Sequence, residues 1–381
     1  MATVHLQPAA ASADEEILAS VASVQELVKE ATISIPKQYL RQHDHRDTLT
    51  SPTAQIPTID FNLLVTSDVE LQKLHSACQQ WGFFQLVNHG ISSSLMDKLR
   101  HEIDEFYKLP LEEKLKYKLK PGIAEGYGAI DRPGDQRDWG DRFLMITNPI
   151  HKRKPHLFPK LPSSLRDFLD CYILELQRVA MKLLGIMAKA LNLELTEMEE
   201  MFENGLQSVR LTYYPPCPQP DLVLGLPPHS DGTGITILHQ LNGVDGLQIK
   251  KDGFWIPINF LPGALVVNVG DIAEIWSNGI YKSAEHRVTI NSNNERISLA
   301  FFVNPKLEVE VGPSNSLINA QNPPLFRRIG MEKFVKELIS QKLDGKAYLD
   351  QMRIKPSEET TFRDGTQQHS YDQEPTYKYD I

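Results

Sequence analysis

The 381-residue sequence predicts an α+β fold: a helical N-terminal half packed on a C-terminal antiparallel double-sheet barrel, or jelly roll. Three observations predict it. Helical periodicity dominates the first half, with its longest apolar stripe between Leu165 and Leu191. From Leu222 to Val303 the pattern switches to short β-rich runs divided by turn signals at even spacing. The switch follows the Pro-rich run "YYPPCPQPD", which continues neither a helix nor a central strand.

Residues 1–54 read as a polar extension with one short helical pattern, "VASVQELVKEA". "IPTIDF" is a first strand, "DVELQKLHSACQQW" a helix ending at Gly82, and "FFQLVNHG" a buried strand closed by a turn. Ser92 is placed to cap the helix "SSLMDKLRHEIDEFYKL", which stops before Pro110. "KPGIAEGYGAIDRPGDQRDWGD" has the Gly, Pro and Asp content of a loop. "HKRKPHLFPK" is a short basic run read as a solvated loop. In the long helix Leu165, Phe168, Leu169, Tyr172, Leu176, Val179, Leu183 and Met187 recur at three- and four-residue steps. Among the strands that follow, "LQIKKDGFWIPI" is a hairpin turning at Asp252-Gly253. "ALVVNVG" is a buried strand, "IAEIWSNGIYKSAEHRVTI" holds a hairpin-like turn at Asn278-Gly279, and "RISLAFFV" closes the set. "MEKFVKELISQKL" is a helix, and the polar tail 356–381 is expected to be disordered. The expected division is therefore 1–54, a mixed helical region 55–204, a β-core 205–308, a helical region 309–355, and the tail.

Composition narrows the function. Hydrophobic residues make up 41% of the chain, a globular value, and the formal net charge is −9. An acidic balance without a basic helix argues against nucleic acid as a partner. The three cysteines form neither a disulfide framework nor a CxxC site. No signal peptide or membrane-length apolar run is read, so a cytoplasmic protein is expected.

The chemistry concentrates in "LPPHSDGTGITIL". Side chains at i and i+2 of a strand share a face, so His229 and Asp231 are placed to bite one ion together. A polar turn edge explains most such pairs on their own. Further on, "SAEHRVTI" opens a strand at His286, and ten residues beyond it "RIS" sets Arg296 and Ser298 on one strand face. Two imidazoles and a carboxylate occupy one face of an octahedral ion and leave three positions open, which suits non-haem Fe(II) handling O2. A guanidinium inside an apolar strand demands an anion, and its fork matches a carboxylate. A small dianionic acid such as 2-oxoglutarate meets that demand. A Zn(II) hydrolase on the same three ligands is the alternative, as is a module that binds a small molecule without turnover; the first leaves the Arg–Ser pair without a task. His75, His89, His101 and His239 have no partner at ligand spacing and are read as structural.

The runs "IPTID", "WGFFQLVNHG", "YYPPCPQPDLVLGLPPHSD", "GLQI", "GDIAEIWSNGIYKSAEHRV" and "RISLAFF", in this order over about residues 56 to 305, resemble the plant 2-oxoglutarate- and Fe(II)-dependent dioxygenases. Within that family the resemblance is greatest to the branch with codeine and thebaine O-demethylases and the norcoclaurine-synthase-like and senescence-related proteins. It implies a double-stranded β-helix, a jelly roll flanked by helices. It implies Fe(II) on His229, Asp231 and His286, and 2-oxoglutarate held by Arg296 and Ser298 with Tyr214 contributing its hydroxyl. Thr212 stands where the family usually has Asn and supplies a shorter donor. By the same analogy Tyr127, Arg142, Leu144, Phe302 and Asn304 face an organic substrate. The implied reaction uses O2, with ascorbate in support, and releases succinate and CO2. It hydroxylates, or O-demethylates, a small aromatic specialised metabolite such as an alkaloid, phenylpropanoid or indoleamine. A monomer is expected, since no interface helix is evident.

Overall fold

The computed structural model describes residues 23–29, 35–41, 55–120, 124–128, 136–340 and 344–355. The strands are β1 (Thr58–Asp60), β2 (Phe83–Val87), β3 (Gly126–Tyr127), β4 (Asp141–Asn148), β5 (Gln207–Tyr214), β6 (Leu226–His229), β7 (Ile235–Gln240), β8 (Leu247–Lys251), β9 (Phe254–Pro257), β10 (Leu265–Val269), β11 (His286–Val288), β12 (Arg296–Val303), β13 (Glu310–Val311) and β14 (Ile329–Gly330). The helices are α1 (Val24–Leu27), α2 (Asp68–Gln80), α3 (Ser93–Lys108), α4 (Leu111–Leu115), α5 (Ser163–Ala190), α6 (Leu195–Phe202), α7 (Asp271–Trp276), α8 (Met331–Ser340) and α9 (Ala347–Gln351).

Two sheets face each other. The larger runs β1-β2-β10-β7-β12-β5-β4-β3 and the smaller β6-β11-β8-β9. Every pairing in them is antiparallel except β1 with β2. This is the jelly roll that the strand spacing predicts, with helices against the outer face of the larger sheet.

The period-two alternation of the large sheet explains its two cores. On β12, Ile297, Leu299, Phe301 and Val303 face the helices, joined by Val209 and Leu211 of β5 and Ile235 and Ile237 of β7. Helix α5 covers them with Leu165, Leu169, Tyr172, Leu176, Val179, Leu183 and Met187, all buried. Phe168 on the same stripe is only partly buried. A sheet with a helix layer on one side and a second sheet on the other has no wet face in its middle strands, which is why "RISLAFFV" is apolar almost throughout.

Helix α2 begins at Ser67, whose hydroxyl accepts from Glu70 N–H. Ser92 does sit at the N-cap of α3, but its side chain makes no capping hydrogen bond. The β8–β9 turn has positive φ at both Asp252 and Gly253, the hairpin geometry its sequence demands. The Asn278-Gly279 signal has a different origin from the one expected. Asp271–Trp276 is a helix, and the left-handed pair (φ 48° and 78°) lies in the turn just beyond it rather than in a hairpin. Inside the expected Gly-rich loop, Gly126–Tyr127 pairs with β4. The basic run 151–160 is not simply solvated: Leu157 and Phe158 are buried, and Arg153 covers the Phe158 ring and reaches Asp170. The expected disordered tail lies outside the described residues.

The short N-terminal segment is docked onto β4 and its approach. Asp141 is a buried carboxylate that accepts from Ser23 Oγ, Val24 N–H and Tyr127 Oη. Tyr39 stacks edge-on against the buried Trp139, and Arg41 pairs with Asp138.

Candidate functional site: a buried metal-ligand triad and an orphan guanidinium

Strand β6 ends at His229, and β11 begins at His286 directly opposite it. β6 is the edge of the smaller sheet, so Pro227 and Pro228 break no ladder on its open side. A register shift between His286 and Val288 bends β11 beside the site. The two imidazole rings lie 4.2 Å apart between centroids. Asp231, in the turn after β6, points the same way. One ligand atom from each of His229, Asp231 and His286 falls within a 4.8 Å group, and all three residues are buried.

The hydrogen bonds around the triad leave its ligand atoms free. His229 Nδ1 lies 2.9 Å from Pro227 O and His286 Nδ1 3.1 Å from Ala284 O. Each Nδ1–H donates to its carbonyl, so each Nε2 lone pair faces the centre. His229 Nε2 has no hydrogen-bond partner among the described residues. Asp231 is held through one oxygen only: Oδ2 accepts from Thr236 Oγ1 at 2.7 Å and from Asn268 Nδ2 at 2.9 Å. Oδ1 faces the imidazoles, 3.4 Å from His229 Nε2 and 3.7 Å from His286 Nε2. Burial and the adjacent His229 push the His286 imidazole down to about 4, so it is neutral at neutral pH. Burial alone favours protonated Asp231, but His286, His229 and the Asn268 amide outweigh it and hold the carboxyl well below the usual carboxylate range. Two imidazoles and one carboxylate oxygen, converging with an unpaired buried nitrogen among them, fit a divalent transition metal.

The same cavity continues along β5 and β12. Arg296, Ser298, Ala300 and Phe302 line it from one face of β12. Their partners on β5 are Tyr214, Thr212, Arg210 and Ser208. Arg296 is 3% exposed; its Nη1 reaches Ser298 Oγ at 3.3 Å and its guanidinium lies 5.2 Å from the Tyr214 ring centroid. Its Nε and Nη2 have no hydrogen-bond partner among the described residues. Burial disfavours the charge of this group, and a buried guanidinium with two donors to spare suits a carboxylate.

Of the residues expected to face a substrate, Phe302 lines the cavity. Arg142 and Leu144 pair with Thr212 and Arg210 and so share the cavity face of the large sheet. Asn304 lies just beyond β12, in alternation with Phe302, and is partly exposed. Tyr127 does not join them. It pairs with Phe143, is fully buried among Phe106 and Phe143 on the helix side, and donates to Asp141. The structure adds three residues: Thr236 and Asn268, which orient Asp231, and Arg210, a cavity cation 5.1 Å over the Phe302 ring. Arg210 was open to sequence reasoning, since it stands four residues before Tyr214 on the same strand face.

A jelly roll carrying this triad and this guanidinium in one cavity defines a non-haem iron oxygenase that uses a 2-oxo acid, and the chain belongs to the 2OG-Fe(II) oxygenase superfamily. That family model matches residues 205–305, and the model for the non-haem dioxygenase in morphine synthesis N-terminal region matches residues 56–161. Similar relatives include oxoglutarate-dependent flavonoid 7-O-demethylase 1 of Ocimum basilicum, 48% identical over 339 residues that cover 88% of this chain and 91% of the relative. Codeine O-demethylase of Papaver somniferum is 47% identical over 347 residues, covering 88% and 96%. The crystal structure of JOX2 in complex with 2OG, Fe and JA superimposes with a TM-score of 0.81 at 36% identity, covering 88% of this chain and 98% of that one. The protein is thus a 2-oxoglutarate-dependent dioxygenase that works with Fe(II), 2-oxoglutarate and O2 on a small molecule, and the resemblance to the O-demethylase branch is borne out. No helix among the described residues is long and apolar enough to cross a membrane.

Proposed function

We propose that the protein oxidises a C–H bond of a small aromatic specialised metabolite, and that where the carbon is a methoxyl the outcome is O-demethylation. His229 Nε2, His286 Nε2 and Asp231 Oδ1 hold Fe(II). When bound there, the metal supplies the redox chemistry that couples decarboxylation of 2-oxoglutarate, to succinate and CO2, with oxidation of the substrate. Arg296 Nε and Nη2 grip the carboxylate of 2-oxoglutarate remote from the metal. Ser298 and the Tyr214 hydroxyl add donors, and Thr212 stands beside Ser298 as its cross-strand partner. A hydroxylated methoxyl carbon is a hemiacetal; it collapses to formaldehyde and leaves the free phenol on the ring.

The chain's own work is positioning and exclusion of water. Phe83, Leu226, Leu238, Leu247, Val288 and Phe302 supply apolar walls for an aromatic body. Arg210, with Arg142 and Leu144 on the same sheet face, lies on the substrate side, where the cations favour a polar or acidic substituent. Asn304 is placed at the end of that wall. The names of the relatives, a flavonoid and a codeine O-demethylase, support an aromatic methoxyl substrate. We further propose a cytosolic monomer.

The observation that carries this reading is the Arg296 guanidinium, whose Nε and Nη2 have no hydrogen-bond partner among the described residues, in the same cavity as the His–Asp–His atoms. The test is a panel of methoxylated and unsubstituted flavonoids, phenylpropanoids and alkaloids, read by mass spectrometry alongside succinate. Formaldehyde and phenol in equal amounts with succinate, absent in Asp231→Ala, are expected. Substrate turnover with Zn(II) in place of Fe(II), or turnover retained by Asp231→Ala, would overturn the assignment.

A further inference from the structure

After α8 the chain returns to the outer edge of the smaller sheet and meets it at a triad residue. Gly345 N–H donates to Pro228 O at 3.1 Å, and Gly345 O accepts Ser230 N–H at 3.0 Å. These bonds form a parallel bridge across His229. β6 has β11 on one side only, and it carries two prolines, so Gly345 supplies the backbone contact that fixes it from the other side.

The next residue carries the bracing further. Lys346 Nζ lies 2.9 Å from Glu274 Oε2 and donates to Ser283 O at 2.7 Å. Glu274, on α7, has a side chain only 1% exposed. Its Oε2 also accepts Ser283 N–H at 2.7 Å, and its Oε1 accepts Arg353 Nη2 at 2.8 Å. Ser283 precedes Ala284, whose carbonyl receives His286 Nδ1–H. The Lys346–Glu274 pair therefore joins the strap across His229 to the turn that aims His286. A third tie comes from α7 itself, where Asp271 N–H donates to Asp231 O at 2.7 Å.

We propose that Lys346 is a positioning residue for the metal centre, and that the segment Gly345–Arg353, through Glu274, braces both histidine-bearing strands as an outer shell of the site. The inference rests on the reading that His229, Asp231 and His286 hold the metal. It makes a prediction with an informative sign. Removing a cation from the neighbourhood of a cation site strengthens metal binding on charge alone. Loss of positioning weakens it.

The experiment titrates metal-free full-length protein with Co(II) under nitrogen, using the visible absorption of the bound ion, for wild type and Lys346→Ala. The expected result is a Co(II) dissociation constant raised about tenfold, with the 2-oxoglutarate dissociation constant at saturating metal within twofold of wild type. An unchanged or lowered Co(II) constant overturns the proposal. Should Lys346→Ala fail to fold, hydrogen exchange on the wild type gives the answer. Peptides covering 344–353 gain protection on Co(II) binding together with those covering 226–232, and no gain in 344–353 overturns the proposal. If wild type binds no Co(II), or Asp231→Ala binds it equally well, the metal-site reading itself has failed, which is distinct from a wild-type site indifferent to Lys346.

Discussion

Arg296→Met tests the co-substrate reading where it is most exposed to failure. The side chain is buried, its Nε and Nη2 lack partners among the described residues, and Ser298 takes only Nη1. A carboxylate docked on the free edge gains two charge-assisted hydrogen bonds, about 1.5 to 3 kcal/mol each. Loss of both costs on the order of 4 kcal/mol, roughly a thousandfold in the dissociation constant of 2-oxoglutarate. Met fills much of the same volume without charge, so the barrel interior keeps its packing. The metal-free protein should be no less stable than wild type, because a buried guanidinium with two donors unsatisfied among the described residues has been removed. Anaerobic calorimetry of 2-oxoglutarate into Co(II)-loaded protein measures the first effect and urea denaturation of metal-free protein the second. A 2-oxoglutarate affinity within threefold of wild type, or loss of Co(II) binding together with 2-oxoglutarate binding, refutes the reasoning.

Asn268→Leu removes one of two donors to Asp231 Oδ2; a 10- to 100-fold loss in metal affinity is expected, and an unchanged Co(II) titration would show that Thr236 alone orients the carboxylate. His239 is depressed from the ordinary 6.5 to about 4 by burial, with Tyr172 Oη 3.0 Å from its Nδ1. The unfolded chain takes up that proton first, so the contribution is complete above pH 6.5 and is lost as pH falls towards 4, a total of on the order of 3 kcal/mol. From pH 7.5 to 4.5 the urea midpoint of wild type should fall relative to that of His239→Leu, and parallel profiles would rule this out. Leu183→Ala opens a cavity where α5 meets the large sheet and should cost about 2 to 5 kcal/mol; a loss under 1 kcal/mol in urea would mean the helix is not the outer wall of that core.

The parts of the fold that were legible in the sequence are those whose period is set by one face. The stripe on α5 is such a case, and so is the Asp252-Gly253 hairpin, where two positive φ values leave little choice of turn. Asn278-Gly279 shows the limit of the same signal. A left-handed Asn-Gly pair also follows the C-terminus of a helix, and Asp271–Trp276 is too short, and too rich in Ile and Trp, to display a helical period. Arg296 and Ser298 were legible because i, i+2 spacing on a strand puts them on one face, whereas Asp231 lies in the turn beyond β6 and His286 on another strand, so the triad was legible only through the order of its motifs and the family resemblance. Tyr127 was misplaced because its face depends on the register with β4: opposite Phe143 it turns to the helices, and one residue along it would face the cavity. Asn268 and Thr236 gave no local signal, since their role exists only once β7 and β10 lie side by side beneath Asp231.

The docking of Ser23 and Val24 on Asp141, and of Tyr39 on Trp139, bears on how the chain tolerates trimming. The family match begins at residue 56, which invites a shortened protein that starts there. Such a protein keeps all three imidazole and carboxylate ligands yet strips the lid from an ionisable group buried at the start of β4 and bares an indole face. It should precipitate or swell at neutral pH while its iron chemistry is still fully encoded, and inactivity of that fragment would say nothing about the oxygenase.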